Sequence, residues 1–179
     1  MKLIILDRDG VINYDSDEYI KSTEEWQPIP GSLDAIARLH HEGYHVVVAS
    51  NQAGIARGKF DIDTLNNIHQ KMNTHLAQYG GVISAVFFCP HGPDDNCDCR
   101  KPKPGLLLEV AKRLRTTLKG VYMVGDKLSD IEAASAAGAV PVLVKTGYGQ
   151  TVVNDNKVPA GVEVYNDLAD FVDKLLGAE

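Results

Sequence analysis

Short apolar runs alternate with amphipathic segments along most of the chain, and this pattern predicts an α/β protein. Strands are predicted over residues 3–6, 45–49, 84–88, 121–124, 140–144 and 161–164. Helices are predicted over residues 32–42, 62–79, 105–118, 129–137 and 167–176, with polar loops over 89–104 and 148–160. Such alternation is typical of a doubly wound, mostly parallel, Rossmann-like sheet with helices on both faces.

Polar side chains gather where four of the predicted strands end. In chain order they are Asp7 and Asp9, Ser50 and Asn51, Arg100 and Lys101, and Asp126 and Lys127. Because the carboxyl ends of parallel strands share one edge of a sheet, these side chains are expected to meet in one crevice. Carboxylates suit Mg²⁺, and lysine and serine suit the oxygens of a phosphoryl group. The pattern therefore predicts magnesium-dependent phosphoryl chemistry.

Asp7 and Asp9 follow the first strand and are spaced by one residue. Extended backbone repeats its side-chain direction every two residues, so both carboxylates can face the same space. One carboxylate can attack phosphorus and form an aspartyl-phosphate. The other can protonate the leaving oxygen and later accept a proton from water.

All three cysteines of the chain lie close to one histidine, in a loop without a predicted helix or strand. The four candidate ligands are Cys89, His91, Cys97 and Cys99. Three thiolates and one imidazole form a closed tetrahedral set for zinc, which leaves no open position for water and therefore indicates a structural ion. We call residues 89–99 the zinc loop.

The length of 179 residues suits a single domain, and the formal net charge of −6 argues against nucleic acid or an anionic membrane as a partner. The N-terminal apolar run passes directly into charged residues and is too short for a signal peptide. We therefore expect a cytoplasmic protein, a monomer, with one domain over residues 1–179 and a small anionic substrate.

Four motifs in order resemble those of the haloacid dehalogenase-like (HAD-like) phosphatases. They are Asp7-Arg8-Asp9-Gly10-Val11, Ser50-Asn51-Gln52, Arg100-Lys101-Pro102 and Gly125-Asp126-Lys127-Leu128-Ser129-Asp130. The resemblance implies that Asp7 is the nucleophile and that Asp9 is the general acid and base. It also implies that Ser50 and Lys101 hold the phosphoryl group. Mg²⁺ would be bound by Asp7, the backbone carbonyl of Asp9 and Asp126.

Within that family, the zinc loop resembles those of two groups, the heptose 1,7-bisphosphate 7-phosphatases and the histidinol-phosphate phosphatases. The segment 51–60 and the Gly125–Leu128 motif favour the heptose group, which implies a role in ADP-heptose synthesis for lipopolysaccharide. Ala53 and Lys103 depart from the heptose pattern. Histidinol phosphate therefore stays open as an alternative substrate.

The intervals between the motifs are too short for a separate cap domain, so loops must supply the substrate contacts. The residues expected to bind substrate are Asp15, Glu18, Tyr19, Asn51, Gln52, Ala53, Arg100 and Lys127. The roles of Arg57, Lys59 and Asp130 stay open, and the histidines outside the zinc loop are expected to be ordinary structural or surface residues.

A signalling receiver domain is a remote alternative, because receivers also gather acidic residues, a hydroxyl and a lysine around Mg²⁺. In receivers, however, the phosphorylated aspartate ends the third strand, whereas here that strand ends at Phe88-Cys89. A binding module with a degenerate site is disfavoured by the intact aspartates.

Overall fold

The computed structural model describes residues 1–177 and contains a six-stranded, fully parallel sheet of order β3-β2-β1-β4-β5-β6. The strands are β1 (Lys2–Leu6), β2 (Tyr44–Asn51), β3 (Ala85–Cys89), β4 (Tyr122–Gly125), β5 (Val140–Val144) and β6 (Glu163–Tyr165). The helices are α1 (Ser32–His41), α2 (Ala53–Ala56), α3 (Ile62–Gln78), α4 (Gly105–Leu114), α5 (Leu128–Ala137), α6 (Gly149–Asn154) and α7 (Leu168–Leu176). The predicted sheet and its helical layers are confirmed.

Both faces of the sheet are buried, because successive side chains of each strand point to opposite sides. Ile4 and Leu6 of β1 face one cluster, which is completed by apolar residues of α1, α3 and α7. Leu3 and Ile5 face a second cluster, which is completed by α4 and α5. The carboxyl ends of the strands are thereby held rigidly at one edge.

Two short helices were not predicted: α6 lies within the predicted loop 148–160, and α2 lies in a segment for which no helix or strand was predicted. Helix α2 has four residues and α6 has six, so neither is long enough to show a helical repeat of apolar positions. Helix α4 ends at Leu114, four residues earlier than predicted. Arg115 adopts a left-handed conformation with φ of 50°, and the Thr116 N–H bonds the Ala111 carbonyl, which closes the helix.

No helix within residues 1–177 is long and apolar enough to cross a membrane.

Candidate active site and zinc site

Asp7 and Lys101 form the centre of the site at the carboxyl edge of the sheet. Asp7 follows β1 and is 5% exposed, and Lys101 follows the zinc loop and is 2% exposed. The Lys101 ammonium lies 3.1 Å from Asp7 Oδ1 and 2.6 Å from Asp130 Oδ1, and it donates to the Ala49 carbonyl at 2.8 Å. Burial lowers the pKa of Lys101, but the charges of Asp130 and Asp7 outweigh burial and raise it. The lysine is therefore a fixed positive charge beside the expected nucleophile.

Three buried carboxylates, which we call the carboxylate set, are crowded at this edge: Asp7, Asp126 and Asp130. One oxygen from each lies within 4.8 Å of the others. Burial and the nearby Asp130 raise the pKa of Asp7 to about 7, although Lys101 opposes the change. Burial and Asp7 likewise raise the pKa of Asp126 well above its ordinary value. Such a cluster stays fully ionised only beside a cation.

The donors fit Mg²⁺ because they are hard oxygens and one of them has no other use. Asp126 Oδ1 is buried without a hydrogen-bond partner among residues 1–177, while its Oδ2 accepts the Tyr148 N–H at 3.0 Å. Asp130 differs, because Oδ1 bonds Lys101 and Oδ2 accepts the N–H groups of Asp126 and Lys127, both at 3.1 Å. Asp7 and Asp126 are thus the side chains suited to the ion, and Asp130 holds the lysine and starts α5.

Two glycines allow the backbone to approach the Asp126 carboxylate closely. A Cβ on Gly10 or on Gly147 would lie 2.1 Å from Asp126 Oδ2, and both residues have positive φ, 85° and 58°. Neither position accepts a larger side chain without displacing the carboxylate.

Asp9 is held on both of its oxygens. Oδ1 accepts from Arg8 Nε at 2.9 Å and from Asn13 Nδ2 at 3.0 Å, and Oδ2 accepts from Gln52 Nε2 at 3.2 Å. Burial raises the pKa of Asp9, but the Arg8 charge and these hydrogen bonds outweigh burial and lower it. Gln52 Nε2 also donates to Ser50 Oγ at 2.7 Å, so it links the expected acid to the expected phosphoryl ligand.

The Asn51 side chain forms hydrogen bonds with the backbone of Lys101. Its Nδ2 donates to the Lys101 carbonyl at 3.0 Å, and its Oδ1 accepts the Lys101 N–H at 3.1 Å. Both Ser50 and Asn51 lie inside β2, not beyond it as predicted, and consecutive strand residues point in opposite directions. Ser50 therefore faces Gln52 while Asn51 fixes the backbone of the lysine.

An open cleft of about 430 Å³ lies over the site. It includes seven of the residues expected to bind substrate: Asp15, Tyr19, Asn51, Gln52, Ala53, Arg100 and Lys127. Glu18 lies outside this lining, with an exposed side chain and its backbone N–H bonded to Ser16 Oγ. Arg57 lies 5.8 Å from the centre of the Tyr19 ring, and Lys103 donates to the Cys97 carbonyl at 2.7 Å.

Tyr148 also lines the cleft, although no motif in the sequence indicates it. Its ring lies 4.8 Å from the Lys127 ammonium, which is 3.3 Å from the Asp15 carboxylate, and its hydroxyl donates to Asp17. Tyr148 thereby ties the loop after β5 to the loop that follows β1. The rule that ligands bind at strand ends, applied to β5 as well as to the other strands, would have found it.

The zinc loop brings its four predicted ligands together. One donor atom from each of Cys89, His91, Cys97 and Cys99 lies within 4.8 Å of the others, and the imidazole points its Nδ1 at the sulfurs. The sulfurs of Cys89 and Cys97 are 3.7 Å apart, close to the ~3.8 Å edge of a zinc–thiolate tetrahedron. Cys89 and Cys99 are 2.8 Å apart, which is longer than a disulfide at about 2.0 Å and shorter than that edge. The ligand types and their convergence suit one four-coordinate zinc ion.

The zinc loop also contacts the cleft. Arg100 follows Cys99 directly, and its Nη1 donates to the His91 carbonyl at 3.3 Å. Gly105, the first residue of α4, would place a Cβ 2.0 Å from the Asp98 carbonyl, so the end of the loop packs tightly against the helix. The loop therefore connects the start of α4 to the cations of the site.

The parallel sheet, the two aspartates after β1 and the buried lysine define a phosphatase of the HAD-like class. A HAD-hydrolase-like family model matches residues 98–171. The chain is 54% identical to the D-glycero-beta-D-manno-heptose-1,7-bisphosphate 7-phosphatase of Bordetella bronchiseptica, over 98% of both chains. It is 53% identical to the protein of the same name from Pseudomonas putida, over 98% of this chain and all of that one.

A solved structure agrees with this relationship. The crystal structure of D,D-heptose 1,7-bisphosphate phosphatase from B. bronchiseptica, complexed with magnesium and phosphate, aligns over all of both chains with a TM-score of 0.98 and 54% identity. The chain belongs to the D-glycero-beta-D-manno-heptose-1,7-bisphosphate 7-phosphatase family.

Proposed function

We propose that this phosphatase removes the 7-phosphate of D-glycero-D-manno-heptose 1,7-bisphosphate through an aspartyl-phosphate on Asp7. The observation that carries the proposal is the 3.1 Å contact between Asp7 and Lys101 at the base of an open cleft, in a chain 54% identical to a heptose bisphosphatase. The product would be a sugar monophosphate, so the enzyme would act in sugar phosphate metabolism, in line with the names of its relatives.

In the first step an Asp7 carboxylate oxygen attacks phosphorus, and the bond from phosphorus to the C7 oxygen of the sugar breaks. The pKa of Asp9 is lowered in the free protein, so Asp9 must take up a proton when the phosphate ester binds. Asp9 then gives that proton to the departing oxygen, and the sugar leaves as a neutral alcohol. In the second step Asp9 takes a proton from water as the water oxygen attacks phosphorus. The bond to Asp7 then breaks, and inorganic phosphate and the free carboxylate are restored.

Ser50 and Lys101 are suited to hold the phosphoryl oxygens through a hydroxyl and an ammonium group. Mg²⁺, held by Asp7, Asp126 and the expected Asp9 carbonyl, would supply positive charge that offsets the repulsion between the carboxylates and the phosphoryl oxygens. Asp130 keeps the lysine in place by its 2.6 Å ion pair. The zinc ion of the loop has no open position and is proposed to be structural.

The rest of the substrate would lie along the cleft wall made by Lys127, Tyr148 and Arg100. Lys127 and Arg100 offer positive charge to a distal phosphate, while Asp15 and Asp17 offer acceptors to sugar hydroxyls. Histidinol phosphate carries an ammonium and an imidazole where the heptose bisphosphate carries a second phosphate and hydroxyls, so it offers no second anion to Lys127 and Arg100. The cleft therefore suits the sugar bisphosphate better.

The test is phosphate release from heptose 1,7-bisphosphate and from histidinol phosphate, measured in parallel as kcat/KM. We expect a preference for the heptose of about 100-fold or more, because unpaired polar groups in a site disfavour the wrong ligand strongly. A preference for histidinol phosphate would overturn the substrate and leave the chemistry intact. Tyr148→Phe should weaken only the heptose reaction, since it releases the loop that carries Asp17.

A further inference from the structure

Arg8, between the two aspartates of the first motif, is completely buried, which is rare for a guanidinium group. Its Nε lies 2.9 Å and its Nη2 2.8 Å from Asp9 Oδ1. Its Nη1 lies 3.0 Å from Nε2 of His69 on helix α3. Arg8 therefore bridges the expected general acid and a histidine 61 positions away along the chain.

The direction of the hydrogen bond between Arg8 and His69 follows from which group can donate. A guanidinium group only donates, so His69 Nε2 must accept, and the ring proton must lie on Nδ1. Burial and the Arg8 charge lower the pKa of His69 to about 4, which keeps the ring neutral at neutral pH. A neutral acceptor is thus provided for the far end of the guanidinium.

This acceptor matters because an arginine side chain has many rotamers and must be held at both ends to orient its partner. The near end of Arg8 grips Asp9 Oδ1, which Asn13 also binds at 3.0 Å. Asp9 Oδ2 has a single described donor, Gln52 at 3.2 Å, and Asp9 lines the cleft. Three donors thus hold Oδ1, and Oδ2, which has one donor and borders the cleft, is the oxygen suited to proton transfer.

We propose that His69 is a positioning residue that acts through Arg8 to hold Asp9 in the orientation required for proton transfer to the leaving sugar oxygen. The proposal rests on the role of Asp9 given under the proposed function. A histidine that only packs in the core would affect stability. A positioning residue must also change how the rate depends on the leaving group.

The experiment compares two substrates by kcat/KM. Heptose 1,7-bisphosphate has an alkoxide leaving group that requires a proton, whereas p-nitrophenyl phosphate has a leaving group that departs without one. We expect His69→Leu to lower kcat/KM for the heptose by about 10- to 100-fold, the range that follows from small misplacements of catalytic groups. The aryl phosphate should be far less affected.

Three further variants make the outcome decisive. His69→Gln keeps an acceptor for Arg8 and should recover most of the heptose activity. His75→Leu is the matched control, because His75 lies on the same helix and packs edge-on against Trp26 at 5.7 Å between ring centres. Asp9→Asn should show the same leaving-group dependence as His69→Leu.

If Asp9→Asn affects both substrates equally, the proposed role of Asp9 fails. If Asp9→Asn discriminates but His69→Leu does not, or if glutamine restores no more activity than leucine, the positioning role of His69 is overturned. Melting temperatures accompany every variant. Should His69→Leu be unfolded, His69→Asn takes its place, since its shorter amide stays polar but cannot span the distance to Arg8.

Discussion

The carboxylate set and the zinc loop are both suited to a cation, yet they depend on different parts of the chain. The carboxylate set lies at the ends of β1 and β4, with a helix start behind it, so the folded core holds its members in place. Apart from Cys89, which ends β3, the zinc loop contains no helix or strand residue. The folded core therefore holds the three repelling carboxylates in place, whereas we expect the loop to depend on a bound zinc ion for its shape.

This difference suggests a division of effects. Damage to the carboxylate set should remove chemistry and leave the fold, because the hydrophobic clusters on both faces of the sheet do not depend on it. Damage to the zinc loop should change local structure first and chemistry second, through Arg100 and Lys101.

Asp7→Asn should abolish turnover with a loss in kcat of about 10⁴-fold or more, because the amide is not a nucleophile and no other group replaces it. The change is nearly isosteric, and it removes one of three crowded carboxylates, so the melting temperature should not fall. Activity is measured by phosphate release and folding by thermal denaturation. Appreciable residual turnover would exclude Asp7 as the nucleophile.

Cys97→Ser should lose the zinc ion and lower kcat/KM by about 10- to 100-fold, a range typical when the support of a metal site is disturbed. Metal analysis after dialysis should give about one zinc per wild-type chain and much less in the variant. Asp94→Asn, an exposed change in the same loop, is the control. An active variant with no zinc would show that the loop does not position Arg100 and Lys101.

Asn51→Ala should lower kcat/KM by up to roughly 30-fold, because two hydrogen bonds to the Lys101 backbone, each worth about 1 kcal/mol, are lost. The zinc content should stay at the wild-type value, which distinguishes this variant from Cys97→Ser. Gln150→Ala is a suitable control, since it removes an exposed amide that bonds Asn154 on α6. A rise in KM with no change in kcat would contradict this role and would indicate that Asn51 binds substrate directly.

The same division explains what the sequence alone could predict. Strand runs such as 3–6 and 140–144 are apolar throughout because both faces of the sheet are covered, and ligand chemistry at strand ends follows from topology. The Cys/His cluster could be predicted from residue type and spacing. Contacts that depend on long side chains were not: Arg8 and His69 are 61 positions apart, and no local pattern announces their pairing.

Asp130 and Tyr148 show a second reason for incomplete prediction. The sequence leaves Asp130 between a helix-start role and a supporting role, and the structure gives it both, with one oxygen on Lys101 and the other on two backbone N–H groups. Tyr148 lies in a segment predicted to be an irregular loop. Its contacts with Lys127 and Asp17 come from two distant turns that approach each other only in the folded protein.

A last prediction concerns stability rather than activity, and it tests whether His69 is the neutral acceptor for Arg8 in the folded protein. The pKa of His69 is about 4 in the folded protein and about 6.5 when unfolded. Above pH 6.5 the ring is neutral in both the folded and the unfolded state, so His69 does not lower the free energy of unfolding there. As the pH falls from 6.5 to 4, the unfolded chain binds a proton that the folded protein refuses, and the free energy of unfolding drops by up to roughly 3 kcal/mol.

Urea unfolding at several pH values between 7.5 and 4 measures this slope, and the difference between wild type and His69→Gln isolates it from all other titrating groups. The glutamine variant should lose less stability on acidification than the wild type. Parallel curves for wild type and His69→Gln would mean that His69 binds its proton equally in both states. In that case His69 would not be the neutral acceptor for Arg8. The view that the fold, through α3, holds the residues around the carboxylate set would then be wrong for this contact.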